Sequence, residues 1–136
     1  MKPKYMLDTN ICITLMKHQP PQARARFAEC FVGDVVISAI TLAELEFGVA
    51  RSGEARDRNQ TQLTSLLEDI VVAPFDAGAA HAYGPLRAAT RERDKNTLDK
   101  LIASHALSLG VTLVTNNEAD FRGFAGLRIE NWINNH

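Results

Sequence analysis

Four carboxylates stand out by where they sit. Asp8 follows a short apolar stretch, Glu44 lies just past a β-branched run, Asp99 opens a helical segment, and Asp120 closely follows another apolar run. They are four of sixteen acids, far apart in the chain, yet Asp8, Glu44 and Asp120 follow strands closely and Asp99 opens the helix that leads into one. In an open parallel sheet the passages from strand to helix meet at the carboxyl ends of the strands, where ligands bind and helix N-termini point. Carboxylates gathered there repel and raise one another's pKa unless a divalent cation neutralises them. Convergence therefore argues for Mg2+ or Mn2+, hard ions that take oxygen ligands. A cation held in this way can lower the pKa of a bound water and offset charge developing on oxygen.

Helix capping explains the same acids one at a time. Thr41-Leu-Ala-Glu44 fits a capping box, Asn96-Thr-Leu-Asp99 and Asn117-Glu-Ala-Asp120 are variants with aspartate, and Asp8 suits an N-cap. Capping does not explain why the short polar residues Thr9, Asn10, Thr115 and Asn116 gather at the same end of the sheet. The two uses are also compatible, because a helix N-terminus favours the ionised carboxylate a metal needs. The histidines His18, His81, His105 and His136 show no ligand spacing, and His105 lies on an apolar helix face where a core role is expected. Cys12 and Cys30 lack metal-type spacing and are expected to be free thiols.

The elements that must position these groups follow from periodicity and breakers. Lys4 to Leu7 reads as a strand and Ile11, Leu15 and Met16 as one helix face; Pro20-Pro21 then opens a second helix bearing Ala23, Phe27, Ala28 and Phe31. Val35 to Ile40 has the pattern of a strand buried on both faces, expected in the middle of a parallel sheet. Helices are expected over Thr41 to Val49, Glu54 to Leu67, Ala77 to Arg93, and Leu98 to Leu109, the last capped by Asn96-Thr97 and stopped by Gly110. Ile70 to Ala73 and Val111 to Thr115 read as strands, Asn117 to Phe121 as one helical turn, and Leu127 to Ile129 as an edge strand. Strands alternating with helices predict an α/β fold of three layers, α/β/α, around a mostly parallel sheet of four to five strands.

A chain of 136 residues with 46% hydrophobic and 23% charged residues suits one domain over 1–136 with a real core. A net charge of -1 disfavours a generally basic, non-specific nucleic-acid binder, so any such contact must be local. No apolar run is long enough to span a membrane and the first residues lack a hydrophobic leader, so a cytoplasmic protein with no membrane partner is expected.

Met6-Leu-Asp8-Thr-Asn10, Ile40-Thr-Leu-Ala-Glu44, Asp99-Lys-Leu-Ile-Ala-Ser-His-Ala106 and Val114-Thr-Asn-Asn117-Glu-Ala-Asp120-Phe121 resemble, in order, the motifs of PIN-domain ribonucleases. Within that family the chain is most similar to the VapC toxins of bacterial toxin-antitoxin pairs, which Arg128-Ile-Glu-Asn-Trp132 also resembles. The resemblance covers nearly the whole chain. It implies a PIN-like fold, with Asp8, Glu44, Asp99 and Asp120 as the catalytic acids and metal ligands, and Thr9, Asn10, Thr115 and Asn116 as their polar support. It implies Mg2+ as cofactor, with Mn2+ able to replace it, and hydrolysis of RNA to a 5'-phosphate and a 3'-hydroxyl. One departure is the charged stretch Arg93-Asp-Lys-Asn-Thr-Leu98 before the third acid, where relatives often carry a glycine-containing loop.

Basic residues bunch twice. Arg51, Arg56 and Arg58 mix with acids and read as a solvated face. Arg87 and Arg91 share a helix face while Lys95 and Lys100 flank Asp99, so these four are expected to hold RNA phosphates beside the metal. Single-stranded or loop RNA is the expected substrate, because its bases can be splayed into a shallow groove. Phe27, Phe31, Leu42, Leu45, Phe47, Leu63 and Leu66 read first as core. In VapC-like proteins the corresponding helices also form a homodimer interface and a groove for the antitoxin. Two rival readings remain: a catalytically inactive module of the same fold, and a receiver-type phosphoacceptor domain. The second is disfavoured, since Asp8 stands alone, Val71-Val-Ala-Pro74 ends without an acid, and no lysine follows the last strand.

Overall fold

The computed structural model describes residues 2–91 and 96–133. Five short apolar runs become the strands β1 (Tyr5–Leu7), β2 (Val35–Ser38), β3 (Val71–Ala73), β4 (Thr112–Val114) and β5 (Ile129–Glu130). They form one sheet in the order β3-β2-β1-β4-β5, and every neighbouring pair is parallel. Met6 lies between Val36 on one side and Leu113 on the other. The β-branched run, expected at the centre, is interior and buried along its length, but the middle place belongs to β1.

The helices are α1 (Thr9–Lys17), α2 (Pro21–Ala28), α3 (Ala39–Ala50), α4 (Arg56–Asp69), α5 (Ala77–Ala89), α6 (Thr97–Leu109) and α7 (Glu118–Phe121), with a 3-10 turn at Gly53–Ala55 before α4. Side-chain alternation along the strands distributes them over two faces. Leu7, Val35, Ile37 and Val114 pack with Ile11 and Leu15 of α1, Leu45 of α3, and Leu63 and Leu66 of α4. Met6, Val36 and Leu113 pack on the opposite side with Leu86 of α5, Ile102, Ala103 and Ala106 of α6, and Phe121 of α7. The result is the expected three layers, α/β/α.

Helix boundaries differ from expectation at α3, α4 and α5, and α4 runs over Arg56–Asp69 and not Glu54 to Leu67 because Gly53–Ala55 forms a separate 3-10 turn. α3 starts at Ala39 because the Ser38 hydroxyl accepts the Ile40 N–H at 3.0 Å, so Thr41 is buried inside the helix and the capping box over Thr41–Glu44 does not form. α5 ends at Ala89, where Thr90 closes it by donating its hydroxyl to the Leu86 carbonyl at 2.8 Å; residues 92–93 of the expected helix lie outside the described residues. α6 stops where expected, with Gly110 at φ +68° and the Val111 N–H returning to the Ala106 carbonyl. Of the apolar residues weighed as core or interface, Leu45, Leu63 and Leu66 are buried and Phe27 and Leu42 pack against them, whereas Phe31 and Phe47 are 74% and 65% exposed. Among the described residues no helix is long and apolar enough to cross a membrane.

The chain runs from β1 outward through β2 to β3, then returns to place β4 on the other side of β1. The order therefore reverses between β1 and β4, and the crevice beyond their carboxyl ends is where such sheets bind ligands.

Candidate functional site

Asp8 stands at that reversal. Its N–H donates to the Val114 carbonyl at 3.0 Å, which ties the end of β1 to β4. Its carboxylate accepts the Ile11 N–H at 2.9 Å and so caps α1. Burial is the main influence on this carboxyl and pushes its pKa up; the nearby Glu44 charge pushes the same way, while hydrogen bonds from Thr115 and from the Ile11 and Asn10 N–H groups oppose the rise. Capping and convergence are thus both true of Asp8.

Glu44 is not a cap. Because α3 begins two residues earlier than its sequence suggests, Glu44 falls in the second turn, where its Oε1 accepts the Thr9 hydroxyl at 2.6 Å. Asp99 lies in the first turn of α6. These three acids, from segments more than thirty residues apart, line one cavity of about 120 Å3 together with Thr9, Asn10, Ile102 and Asn117. Asp120 does not line it. The wall on that side is Asn117, whose N–H is held by the Thr115 hydroxyl at 2.9 Å, and Asp120 sits three residues further along, on α7. Thr115 is fully buried and hydrogen-bonds Asp8, while Asn116 is exposed and does not line the cavity. Asn117 and Ile102 are cavity residues that sequence reasoning misses. In the sequence Asn117 reads only as a cap, although its side chain makes no cap bond.

Residues 5–127 match the PIN domain family. The chain belongs to that family. It is 40% identical to the tRNA(fMet)-specific endonuclease VapC of Shigella flexneri, over 95% of this chain and 98% of that protein. It is 38% identical to ribonuclease VapC2 of Rickettsia felis, over 94% and 97% of the two chains. Among solved structures it superimposes on a chain of DNA-bound VapBC from Salmonella typhimurium with a TM-score of 0.87 and 38% identity, over 96% of this chain and 98% of that one. The VapBC2 complex of Rickettsia felis bound to a promoter DNA fragment gives a TM-score of 0.84 at 34% identity, over 94% and 98%.

The oxygen-rich lining of this PIN-domain cavity suits a hard cation. Among the described residues neither Asp8 nor Glu44 is ion-paired with a lysine or arginine. No three His, Cys, Asp or Glu side chains among the described residues stand close enough together to ligate an ion directly by themselves. The space fits an ion that keeps part of its water shell, as Mg2+ characteristically does when one or two carboxylates bind it.

The expected phosphate-binding residues divide. Arg87 and Arg91 are exposed, and the Arg87 guanidinium lies over the Tyr83 ring and donates to its hydroxyl at 3.1 Å. Lys95 lies outside the described residues. Lys100 is a correction: it is 1% exposed, and its ammonium donates to the Thr90 carbonyl at 2.9 Å, so it faces the end of α5 and not solvent where RNA would lie. His105 is the core residue expected. Its Nδ1 is 2.8 Å from the Ser38 hydroxyl, its ring meets Phe75 edge to face and bonds the Pro74 carbonyl, and burial lowers its pKa. Cys12 and Cys30 are free thiols.

Proposed function

We propose that this PIN domain is a Mg2+-dependent endoribonuclease, the toxin of a toxin-antitoxin pair, acting in the cytoplasm. The observation that carries the reading is the cavity in which Asp8, Glu44 and Asp99 meet at the sheet's topological reversal. Asp8, Glu44 and Asp99 would hold the cation, with Asp120, three residues beyond the cavity wall at Asn117, as the fourth acid, and Mn2+ would be able to replace Mg2+. When bound, the cation lowers the pKa of a water and offsets charge on the scissile phosphate. The hydrogen bond from Thr9 fixes the Glu44 carboxylate through one oxygen and leaves the other to face the ion. Thr115 and the Ile11 N–H favour the ionised form of Asp8 against the effect of its burial. Asn10 and Asn117 offer amides to the phosphate, and Ile102 forms an apolar wall.

The substrate is single-stranded or loop RNA, and the name of the Shigella relative makes initiator tRNA the first to try. The partner is a cognate antitoxin, a proposal supported by the VapBC complexes among the structural neighbours. A groove of about 180 Å3, lined by Ile13, Met16, Leu45 and Val49, shares Glu44 with the acid cavity and offers the antitoxin a seat. A homodimer would cover exposed apolar side chains such as Phe31 and Phe47.

The test is cleavage of initiator tRNA and of total RNA by the purified protein. Cleavage is expected with Mg2+ or Mn2+ and is lost on chelation and in Asp99→Asn. Undiminished cleavage in excess EDTA overturns the metal site. Cation binding without cleavage of any RNA leaves the inactive module as the better reading.

A further inference from the structure

We propose that Lys100 is a positioning residue that fixes Asp99 in the acid cavity and thereby sets that cavity's affinity for a divalent cation. The inference rests on the reading of the cavity as a metal site.

Asp99 occupies the first turn of α6, the part of a helix most prone to fray. The residue at the cap position, Asn96, makes no side-chain bond to that turn. Something else must hold it. Lys100 is the next residue, about 100° further round the helix, and faces α5 while Asp99 faces the cavity. It anchors the turn at three points. Its N–H donates to the Asn96 carbonyl at 3.0 Å, its carbonyl accepts the Ser104 hydroxyl at 2.7 Å, and its ammonium donates to the Thr90 carbonyl at 2.9 Å. Thr90 is itself fixed, buried and bonded back to Leu86. The ammonium therefore joins the residue that closes α5 to the first turn of α6.

Filling the space does not require a charge. A methionine would occupy a similar volume without taking an ammonium out of water, which is expensive unless its donors are satisfied. What the ammonium adds is a directed bond of fixed length, and the group that bond holds in place is a carboxylate of the cavity.

The experiment is calorimetric titration of Mn2+ into the full chain without RNA, comparing wild type, Lys100→Met, Lys100→Gln and Leu86→Ala. Leu86 is buried in the same α5–α6 contact and has an apolar side chain that cannot replace the ammonium's bond to the Thr90 carbonyl, so its truncation reports general loosening. The Mn2+ Kd is expected to rise about tenfold in Lys100→Met, the scale on which groups that orient metal ligands act. Lys100→Gln, which keeps a donor, should fall between, and Leu86→Ala should melt earlier with its Kd unchanged. An unchanged Kd in Lys100→Met overturns the proposal, as does an equal rise in Leu86→Ala. If both Lys100 variants fail to fold, the residue serves stability alone and the proposal is also overturned. Wild type that binds no Mn2+ overturns the metal reading on which the inference rests, whereas wild type that binds beside an unaffected Lys100→Met overturns this inference only.

Discussion

At Asp8 a helix cap and, in the proposed site, a metal ligand draw on one carboxylate, and Asp8→Asn separates them, because an asparagine oxygen still accepts the Ile11 N–H after the charge has gone. The folded-state pKa of Asp8 lies above its unfolded value, so between the two the folded chain binds more protons. Stability therefore falls as pH rises through that window, and the penalty persists above it. Asp8→Asn should remove the penalty, melting at the same or higher temperature at pH 7 with a flatter acid limb, while cleavage is lost. If Asp8 were a cap alone, losing the charge would cost at most about 1 kcal/mol and leave cleavage intact. Melts from pH 4 to 7 beside a cleavage assay decide. A second residue tests the local packing: the buried Thr41 hydroxyl has no hydrogen-bond partner among the described residues, and such a group costs about 1–3 kcal/mol when left unsatisfied. Thr41→Val keeps the shape and should raise the melting temperature, and a lower one would mean that the hydroxyl is bonded after all. The sequence made Asp8 and Asp99 legible because each sits at a helix start, Asp8 directly after β1 and Asp99 in the first turn of α6. Glu44 is obscured by a real rivalry, since Thr41-Leu-Ala-Glu44 imitates a capping box while Ser38, three residues upstream, takes the cap.

Between α5 and α6 the two kinds of basic residue do different work. Periodicity located both helices, but it could not tell that Lys100 turns inward, because lysine is ordinarily a surface residue and its burial here depends on the Thr90 carbonyl of another element. The middle place of β1 was hidden for the same kind of reason: strand order is set by pairing between distant segments, which composition along one segment does not report. Arg87 and Arg91 remain as exposed cations at the end of α5, the helix that leads into Asp99. Replacing both by alanine should weaken RNA binding and reduce the slope of log K against log salt by about one for each phosphate that is no longer neutralised. Arg56→Ala with Arg58→Ala, on the exposed face of α4, should change the slope little. The metal requirement should be unaltered in both pairs. RNA affinity at two salt concentrations checks this, and equal weakening by the two pairs would move the RNA path onto α4.

On the scale of the whole molecule, the shared position of Glu44 would couple binding of the proposed partner to the acid site. The groove of Ile13, Met16, Leu45 and Val49 lies between α1, α3 and α4 and is mainly apolar, with Lys17, Asn59 and Gln62 at its sides, while the cavity beside it is acidic. A partner helix seated in that groove needs to send only one arginine or lysine past Glu44 to place a cation among the carboxylates, a charge-assisted contact that competes with metal and phosphate alike. Expression of the chain alone should therefore arrest bacterial growth, and Asp99→Asn should not. Co-expression of a small antitoxin encoded beside it should restore growth. Met16 separates the two surfaces, because it lines the groove but not the acid cavity and is only half-buried. Met16→Glu should keep cleavage, since no cavity residue changes, yet resist rescue, since a carboxylate covered by an apolar partner face loses its hydration. Growth curves with and without the antitoxin, read beside in vitro cleavage, distinguish the outcomes. Rescue of Met16→Glu as complete as that of the unaltered chain would place the antitoxin elsewhere on the surface.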